Sequence, residues 1–218
     1  MKNKIKEKLK HNSSLLRIVA LFHNLCYFNL PLTGNFQGAF LKKTNFSIKG
    51  KHTSIFCGEK SRLNNCLFHI NGDNIKIHIG ENCILSNLEL WIEDNNGEIK
   101  IGSNTTVEGG HFAATEGEKI IIGSDCMFSS NIQIRNGDSH PTFDVVSGKR
   151  LNYASSIRIG DHVWLGYNST ILKGSVIASN SIVGTGAIVS GKCIDENSIY
   201  VGTPAKKVKE SIRWERHR

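Results

Sequence analysis

The sequence predicts an all-β protein, a parallel β-helix of hexapeptide repeats with an N-terminal helical segment, a protruding loop and a C-terminal helix. Three observations carry this. Residues 159 to 194 read IGDHVW-LGYNST-ILKGSV-IASNSI-VGTGAI-VSGKCI, six consecutive units each opened by an aliphatic residue (Ile159, Leu165, Ile171, Ile177, Val183, Val189). A small or β-branched residue stands four places on (Val163, Ser169, Ser175, Ser181, Ala187, Cys193). The period of six matches neither the 3.6 of an amphipathic helix nor the 2 of a half-buried strand. Short strands joined by corners do satisfy it, with three faces to a coil of about 18 residues and successive coils stacked at the strand spacing.

Residues 1–40 form the expected N-terminal cap. Lys2, Lys4, Lys6, Lys8 and Lys10 precede the run SSLLRIVALFHNLCYFNLPL, in which Ser13 or Ser14 suits an N-cap and Pro31 a stop. Arg17, His23, Asn24 and Asn29 interrupt the apolar residues, leaving fewer than the roughly 20 clean positions of a membrane span. No small-residue cleavage site of a signal peptide follows. A helix here covers the exposed strand edges of the first coil. The rival reading is a basic amphipathic helix lying on an anionic membrane surface.

Residues 41–202 form the coils. From about 46 to 110 the repeat is degenerate: IGENCI-LSNLEL and IGSNTT-VEGGHF keep register for two units each, and irregular runs such as IEDNNGE at 92–98 read as corner loops. Of His52, His69, His78 and His111, which lie in or beside this part, most read as surface or corner residues. IGSDCM-FSSNIQ-IRNGDS from Ile122 restores one full coil, and the repeat then breaks into a polar loop, 140–156, before resuming at Ile159. A loop that long in an otherwise uninterrupted repeat points to function rather than stability. The chain ends in the predicted helix 203–218, started by Thr203 and Pro204, with Ala205, Val208 and Ile212 as its apolar stripe.

Charge is concentrated at the ends. The 27 basic and 19 acidic residues give a formal charge of +8, but residues 1–17 and 203–218 account for it and the middle is close to neutral. That argues against a continuous nucleic-acid track and for local attraction of an anion such as cofactor phosphates, an acidic glycan or anionic lipid. Six cysteines occur without a C-x-x-C pair; Cys83, Cys126 and Cys193 take the small inward position and read as buried free thiols, whereas Cys26, Cys57 and Cys66 have no clear place. The set suits a reducing compartment.

Two constellations carry chemistry. Stacking by 18 puts Gly166, Gly184 and Gly202 above one another, with Trp164, Ile182 and Tyr200 in a second column and Leu165, Val183 and Val201 in a third. Such a glycine column either exposes backbone amides to a ligand or fills tight corners. His140 stands where the repeat breaks, between Asp138 and Asp144, and an imidazole there is suited to general-base work at neutral pH.

D-S-H-P-T-F-D at 138–144, I-G-D-H-V-W-L-G ending at Gly166 and V-G-T-P-A-K at 201–206, with 24 residues from His140 to Trp164, resemble the hexapeptide acyltransferases, in particular bacterial O-acetyltransferases of capsular polysaccharide, sialic acid and galactoside type. The resemblance covers about 120 to the C-terminus. It implies left-handed coiling, which periodicity cannot show. It implies acetyl-CoA as co-substrate without a metal, and transfer of acetyl to a hydroxyl of a bacterial surface glycan by direct attack. His140 matches the family's catalytic base, with Asp138 or Asp144 as candidates to orient the ring. Trp164, or a backbone N–H near 164–166, would hold the oxyanion, and the indole would pack on the thioester arm. Acetyl-CoA would lie along Gly166, Gly184 and Gly202, with Thr185 and Thr203 beside it and its phosphates near Lys206. A homotrimer with sites between neighbouring subunits, a cytoplasmic location and no nucleic-acid partner complete the expectation. Two alternatives stay open, an N-acetyltransferase of an amino sugar and a non-enzymatic β-solenoid binding module. A zinc enzyme with histidines five apart does not fit, since no pair of histidines has that spacing.

Overall fold

In the structure, a computed structural model, residues 12–25, 34–36, 38–191 and 193–217 are described, the side chains of Leu25 and Cys193 excepted. The strands form three sheets of eight, nine and seven that the chain visits in rotation, parallel except for the last strand of the nine. The aliphatic residue of each unit falls into one of three buried columns. Cys57, Ile79, Ile101, Ile122, Ile159, Ile177 and Ile194 pair in turn through the first sheet. Leu41, Leu63, Leu85, Val107, Phe128, Leu165, Val183 and Tyr200 do so through the second. Phe46, Phe68, Leu90, Phe112, Ile134, Ile171 and Val189 line the third. The expected small inward residues Cys83, Cys126, Val163, Ser169, Ser175, Ser181 and Ala187 are all buried. Cys57 and Cys66, which period six leaves unplaced, are buried too; burial pushes the thiols of Cys66 and Cys126 up to about 11 and 12, so they act as small hydrophobes rather than nucleophiles. Cys26, the side chain of Cys193, the N-terminal lysines and Pro31 lie outside the described residues.

Corners explain the asparagines. Asn65, Asn87, Asn131 and Asn168 hold left-handed backbone with φ of 49° to 60°, a conformation Asn tolerates better than other side-chain-bearing residues. Stacked at one corner, they bond along the column, Asn65 Nδ2 donating to Asn87 Oδ1 at 2.8 Å. At another corner Gly58, Gly80, Gly102, Gly123 and Gly160 are stacked so tightly that a Cβ would meet backbone or Ser103 and Ser179 atoms of the next coil within 2.8 Å. This is the protein's continuous glycine column, and it is a packing device.

The coils come in two sizes. In the first half, successive coils place Asn65 and Asn87, or Asn74 and Asn96, 22 residues apart. Past the loop the step from Asp161 to Ser179 is 18. Third-sheet strands shrink accordingly, from six residues in Leu88–Glu93 to two in Ile188–Val189.

Two expectations need correction at the C-terminal end. Ile177 pairs with Ile194 and Val183 with Tyr200, so the last coil is one residue shorter than 18. The unit opened by Val189 has five residues, and the shortfall brings Tyr200 into the core at 4% exposure, where its hydroxyl donates to Asp195 Oδ2 at 2.9 Å. Tyr200 therefore leaves the Trp164 column, Ile199 joins Ile182 there, and Val201 rather than Gly202 stands over Gly184. Among the described residues of 203–218 no helix is present where one was expected. Lys206–Lys209 is instead a strand antiparallel to Ile199–Val201, closing the second sheet. An open strand edge offers unpaired amides and carbonyls that a strand satisfies and a short amphipathic helix does not. Val208, counted on the helical stripe, is 58% exposed. The tail then returns along the molecule: Arg216 bonds Asp125, Thr106 and the carbonyls of Asn104 and Cys126.

The expected N-terminal helical segment is present, a helix α1 over Ser13–Leu25. Leu16, Ala20 and Asn24, at i, i+4 and i+8, form its buried stripe. Asn24 pairs like a strand with the first coil, its Nδ2 donating to the Ala39 carbonyl at 2.8 Å and its Oδ1 accepting from the Leu41 amide at 3.1 Å. Ile18, Leu21 and Phe22 face outward. The coils start at strand Gly34–Asn35, within the segment assigned to the cap. Among the described residues no helix is long and apolar enough to cross a membrane.

Candidate active site

The loop leaves the corner between the third and first sheets, after Ile132–Arg135 and before Ile157–Ile159. Its far part is a hairpin arm: Phe143 bridges Arg150, Leu151 N donates to Thr142 O at 2.8 Å, and Gly148 N donates to Asp144 O at 2.9 Å. The arm is fastened at its base. Glu116 receives the Arg150 guanidinium and the Ala154 amide, which hold its carboxyl below the usual range, the amide first. Glu118 takes the Ser156 amide at 3.1 Å. The tip stands clear, with Val145 at 99% and Val146 at 96% exposure.

His140 is exposed at the start of this arm. Its imidazole has no hydrogen bond among the described residues, while its backbone is fixed: its amide donates to Asp138 O and its carbonyl accepts from Asn152 Nδ2, both at 2.8 Å. Asn152 also donates to Asp138 Oδ2 at 3.0 Å, and Lys173 Nζ lies 2.5 Å from the same oxygen. Lys173 in turn lowers the Asp138 pKa. Neither carboxylate bonds the imidazole. Asp144 spends its Oδ1 on Val146 N, Ser147 N and Ser147 Oγ of its own turn.

Trp164 is 37% exposed on the second sheet, the face opposite the corner from which His140 emerges. One chain therefore does not bring these two together. The indole lies 6.0 Å from that of Trp214. Trp214 stacks on His162 at 3.9 Å and donates Nε1–H to the His162 carbonyl at 3.0 Å. His162 Nδ1 is 2.6 Å from Asp125 Oδ2. Burial opposes ionisation of Asp125, but the bonds from His162 and Arg216 outweigh it and hold its pKa low. The cluster of Trp214, His162, Asp125 and Arg216 leaves no mark in the sequence because its contacts join residues 37 to 91 positions apart.

The residues expected to hold a co-substrate gather near the corner after the second sheet. Gly166 is buried, and a Cβ there would meet Thr185 N at 2.7 Å; at Gly184 it would meet Val201 Cγ1 at 2.7 Å. These two serve stacking rather than exposing amides. Thr185, Gly202 and Lys206 are exposed, and Thr203 Oγ1 reaches Gly186 O at 3.4 Å. Lys206 has no ion pair among the described residues, unlike Lys207, which pairs with Asp195 and Glu210.

No protein-family model matches the chain. A polysialic acid O-acetyltransferase of Neisseria meningitidis is 38% identical over 112 residues, which is 51% of this chain and 52% of that protein. The chain spans about half the length of the curated relatives it matches. The crystal structure of the polysialic acid O-acetyltransferase OatWY is 32% identical, covers 87% of both chains and superposes with a TM-score of 0.75. That of the polySia specific acetyltransferase NeuO is 30% identical, covers 80% of this chain and 90% of its own, and has a TM-score of 0.66. With its coils, its interrupting loop and these likenesses over most of its length, the chain belongs to the hexapeptide-repeat acyltransferases of left-handed β-helix fold.

Proposed function

We propose that the protein is an acetyl-CoA-dependent O-acetyltransferase acting on a hydroxyl of a bacterial surface glycan. The observation that carries this reading is the placement of His140: an exposed imidazole on a fixed backbone at the base of the arm that interrupts the repeat. The acceptor O–H gives its proton to the imidazole as its oxygen attacks the thioester carbonyl carbon. The C–S bond of the tetrahedral adduct then breaks, and the thiolate takes the proton back from the imidazolium. Asp138 is a positioning residue, acting through Asn152 on the His140 backbone, and Asp144 shapes the arm.

Because His140 and Trp164 lie on opposite sides of one solenoid, the site is completed between copies, in a homotrimer, with the arm and its Val145 and Val146 reaching a neighbour. Trp164, Thr185, Thr203 and Lys206 then line the co-substrate side, and Gly166, Gly184 and Gly202 shape the corner. The outward residues Ile18, Leu21 and Phe22 of α1, preceded in sequence by five lysines, suit contact with an anionic membrane surface.

Titration of the chain with acetyl-CoA by calorimetry tests the reading against a binding scaffold; absence of binding overturns it. Mass spectrometry of products from acceptors bearing either hydroxyl or amino groups separates O- from N-acetylation.

A further inference from the structure

The C-terminal tail ends beside Trp164, and the corner it follows is built to receive it. That corner joins the first sheet to the second and takes left-handed backbone in successive coils. From Asn82 to Asn197 its residues are asparagines (Asn82, Asn104, Asn180, Asn197) at φ of 51° to 62°, except for Asp125 at 56° and His162 at 53°. Both stand in the same stack, Asp125 N donating to Ser103 O and His162 N to Ser124 O, each at 2.8 Å. Asparagine satisfies such a backbone as well as aspartate or histidine does, so the turn alone calls for neither the carboxylate nor the ring. Both face the tail instead.

The tail is captured at three points. Ile212 N donates to Asn197 O at 2.9 Å. Arg216 spreads its guanidinium over Asp125 Oδ1 at 2.7 Å, Thr106 Oγ1 at 3.0 Å and the carbonyls of Asn104 and Cys126. Between them Trp214, 7% exposed, stacks on the His162 ring at 3.9 Å and 10° and donates Nε1–H to the His162 carbonyl at 3.0 Å. The Trp214 carbonyl lies 3.2 Å from His162 Nε2, and Asp125 Oδ2 lies 2.6 Å from Nδ1. Both ring nitrogens thus face acceptors, and the ring donates to both when it carries two protons.

Trp164 has little else to hold it. Its strand is two residues long and pairs with Met127 and Ile182 along the outward column. An indole turns about two side-chain bonds, and freezing such a side chain on binding costs about 2- to 10-fold in affinity. The Trp214 ring, centred 6.0 Å away and tilted by 46°, closes one flank of the indole in a favourable aromatic pair. At 37% exposure Trp164 keeps the rest of its surface for a ligand.

We propose that Trp214 is a positioning residue: the tail, latched through His162, Asp125 and Arg216, sets the orientation of the Trp164 indole before acetyl-CoA meets it. The assignment rests on the reading of Trp164 as part of the co-substrate side and names what holds it there.

The first readout needs no ligand. In the full chain labelled with 5-fluorotryptophan, the fluorine resonance of Trp164 is identified by its loss in Trp164→Phe. It should broaden in Trp214→Leu and stay narrow in Trp214→Phe, which keeps the stack on His162. Arg216→Gln leaves Trp214 in place but frees the end of the tail; it should broaden the same resonance, and it carries the test if the Leu variant does not fold. An unchanged Trp164 resonance in these variants overturns the assignment. Calorimetry with acetyl-CoA should then give about 2- to 10-fold weaker binding for Trp214→Leu and near-normal binding for Trp214→Phe. Normal affinity in Trp214→Leu beside a loss in Trp164→Ala also overturns it, because the indole would then act unsupported. If Trp164→Ala itself binds acetyl-CoA as tightly as the wild type, the co-substrate reading of Trp164 falls, and the fluorine spectra alone decide whether Trp214 orders the ring.

Discussion

The coils before the loop and those after it are built on one plan and differ in width. Before it, a turn takes about 22 residues, third-sheet strands reach six residues, and a second inward column of Ile48, Ile70, Ile92 and Ala114 lies beside the Phe68 column. After it, a turn takes 18 or fewer, and the strands shorten to two residues. The wide faces carry outward side chains such as Trp91, Glu93 and Arg135. His140 emerges where the width changes. A step in a regular solenoid makes a concave place without breaking the core, and the proposed base stands beside it.

The largest test of this comparison is at the seam. His140→Ala should lower turnover by about 10²- to 10⁴-fold with acetyl-CoA affinity nearly unchanged, read from steady-state kinetics and calorimetry. Near-normal turnover in a folded variant would remove the seam from the chemistry.

Next come the two cores. Phe112→Ala in the wide half should cost about 3–5 kcal/mol, and Ile171→Val in the narrow half about 0.5–1.5 kcal/mol, measured by denaturant unfolding. Equal losses would mean that the larger column is not what holds the wide coils.

Glycines sharpen the contrast further. Gly123→Ala would put a Cβ 2.5 Å from the Gly160 carbonyl carbon, and the shift this forces should cost about 1–3 kcal/mol. Gly186 has open space around it, so Gly186→Ala meets only the left-handed backbone at φ 68° and should cost about 1–2 kcal/mol with no loss of coil stacking by circular dichroism.

The smallest effect expected is the pH response of the arm. Lys173 lowers the Asp138 pKa, and the Ala154 amide and Arg150 lower that of Glu116. Groups with depressed folded pKa values stabilise above their unfolded values and lose that contribution as pH falls through the folded ones. The arm should stay protected from hydrogen exchange at neutral pH and loosen only below about pH 4. Loosening near pH 6 would point to a histidine instead.

Much of the narrow half was legible, because six residues per face is a strict requirement there: Val163, Ser169, Ser175, Ser181 and Ala187 are buried as the period demands. The wide half kept its own period in view, with Ile55, Ile77 and Ile99 at 22-residue steps. Counting at 22 would have placed His69, Trp91, Ala113 and Arg135 in one outward column. The C-terminal strand was hidden because Ala205, Val208 and Ile212 also satisfy a helical stripe, and no local pattern records an unpaired edge waiting in the last coil.

Periodicity and residue size specify the solenoid, its three faces, the buried thiols of Cys83 and Cys126 and the place where the repeat breaks, since each depends only on neighbours at a fixed step along the chain. The partner of each polar group lies beyond that reach. Asn152 joins Asp138 to the His140 carbonyl, Asp144 turns its carboxylate to its own loop, Arg216 returns to Asp125, and His140 ends on the side away from Trp164. Those outcomes follow from how coils of unequal length rotate their corners against one another, and they exist only once the coils are stacked.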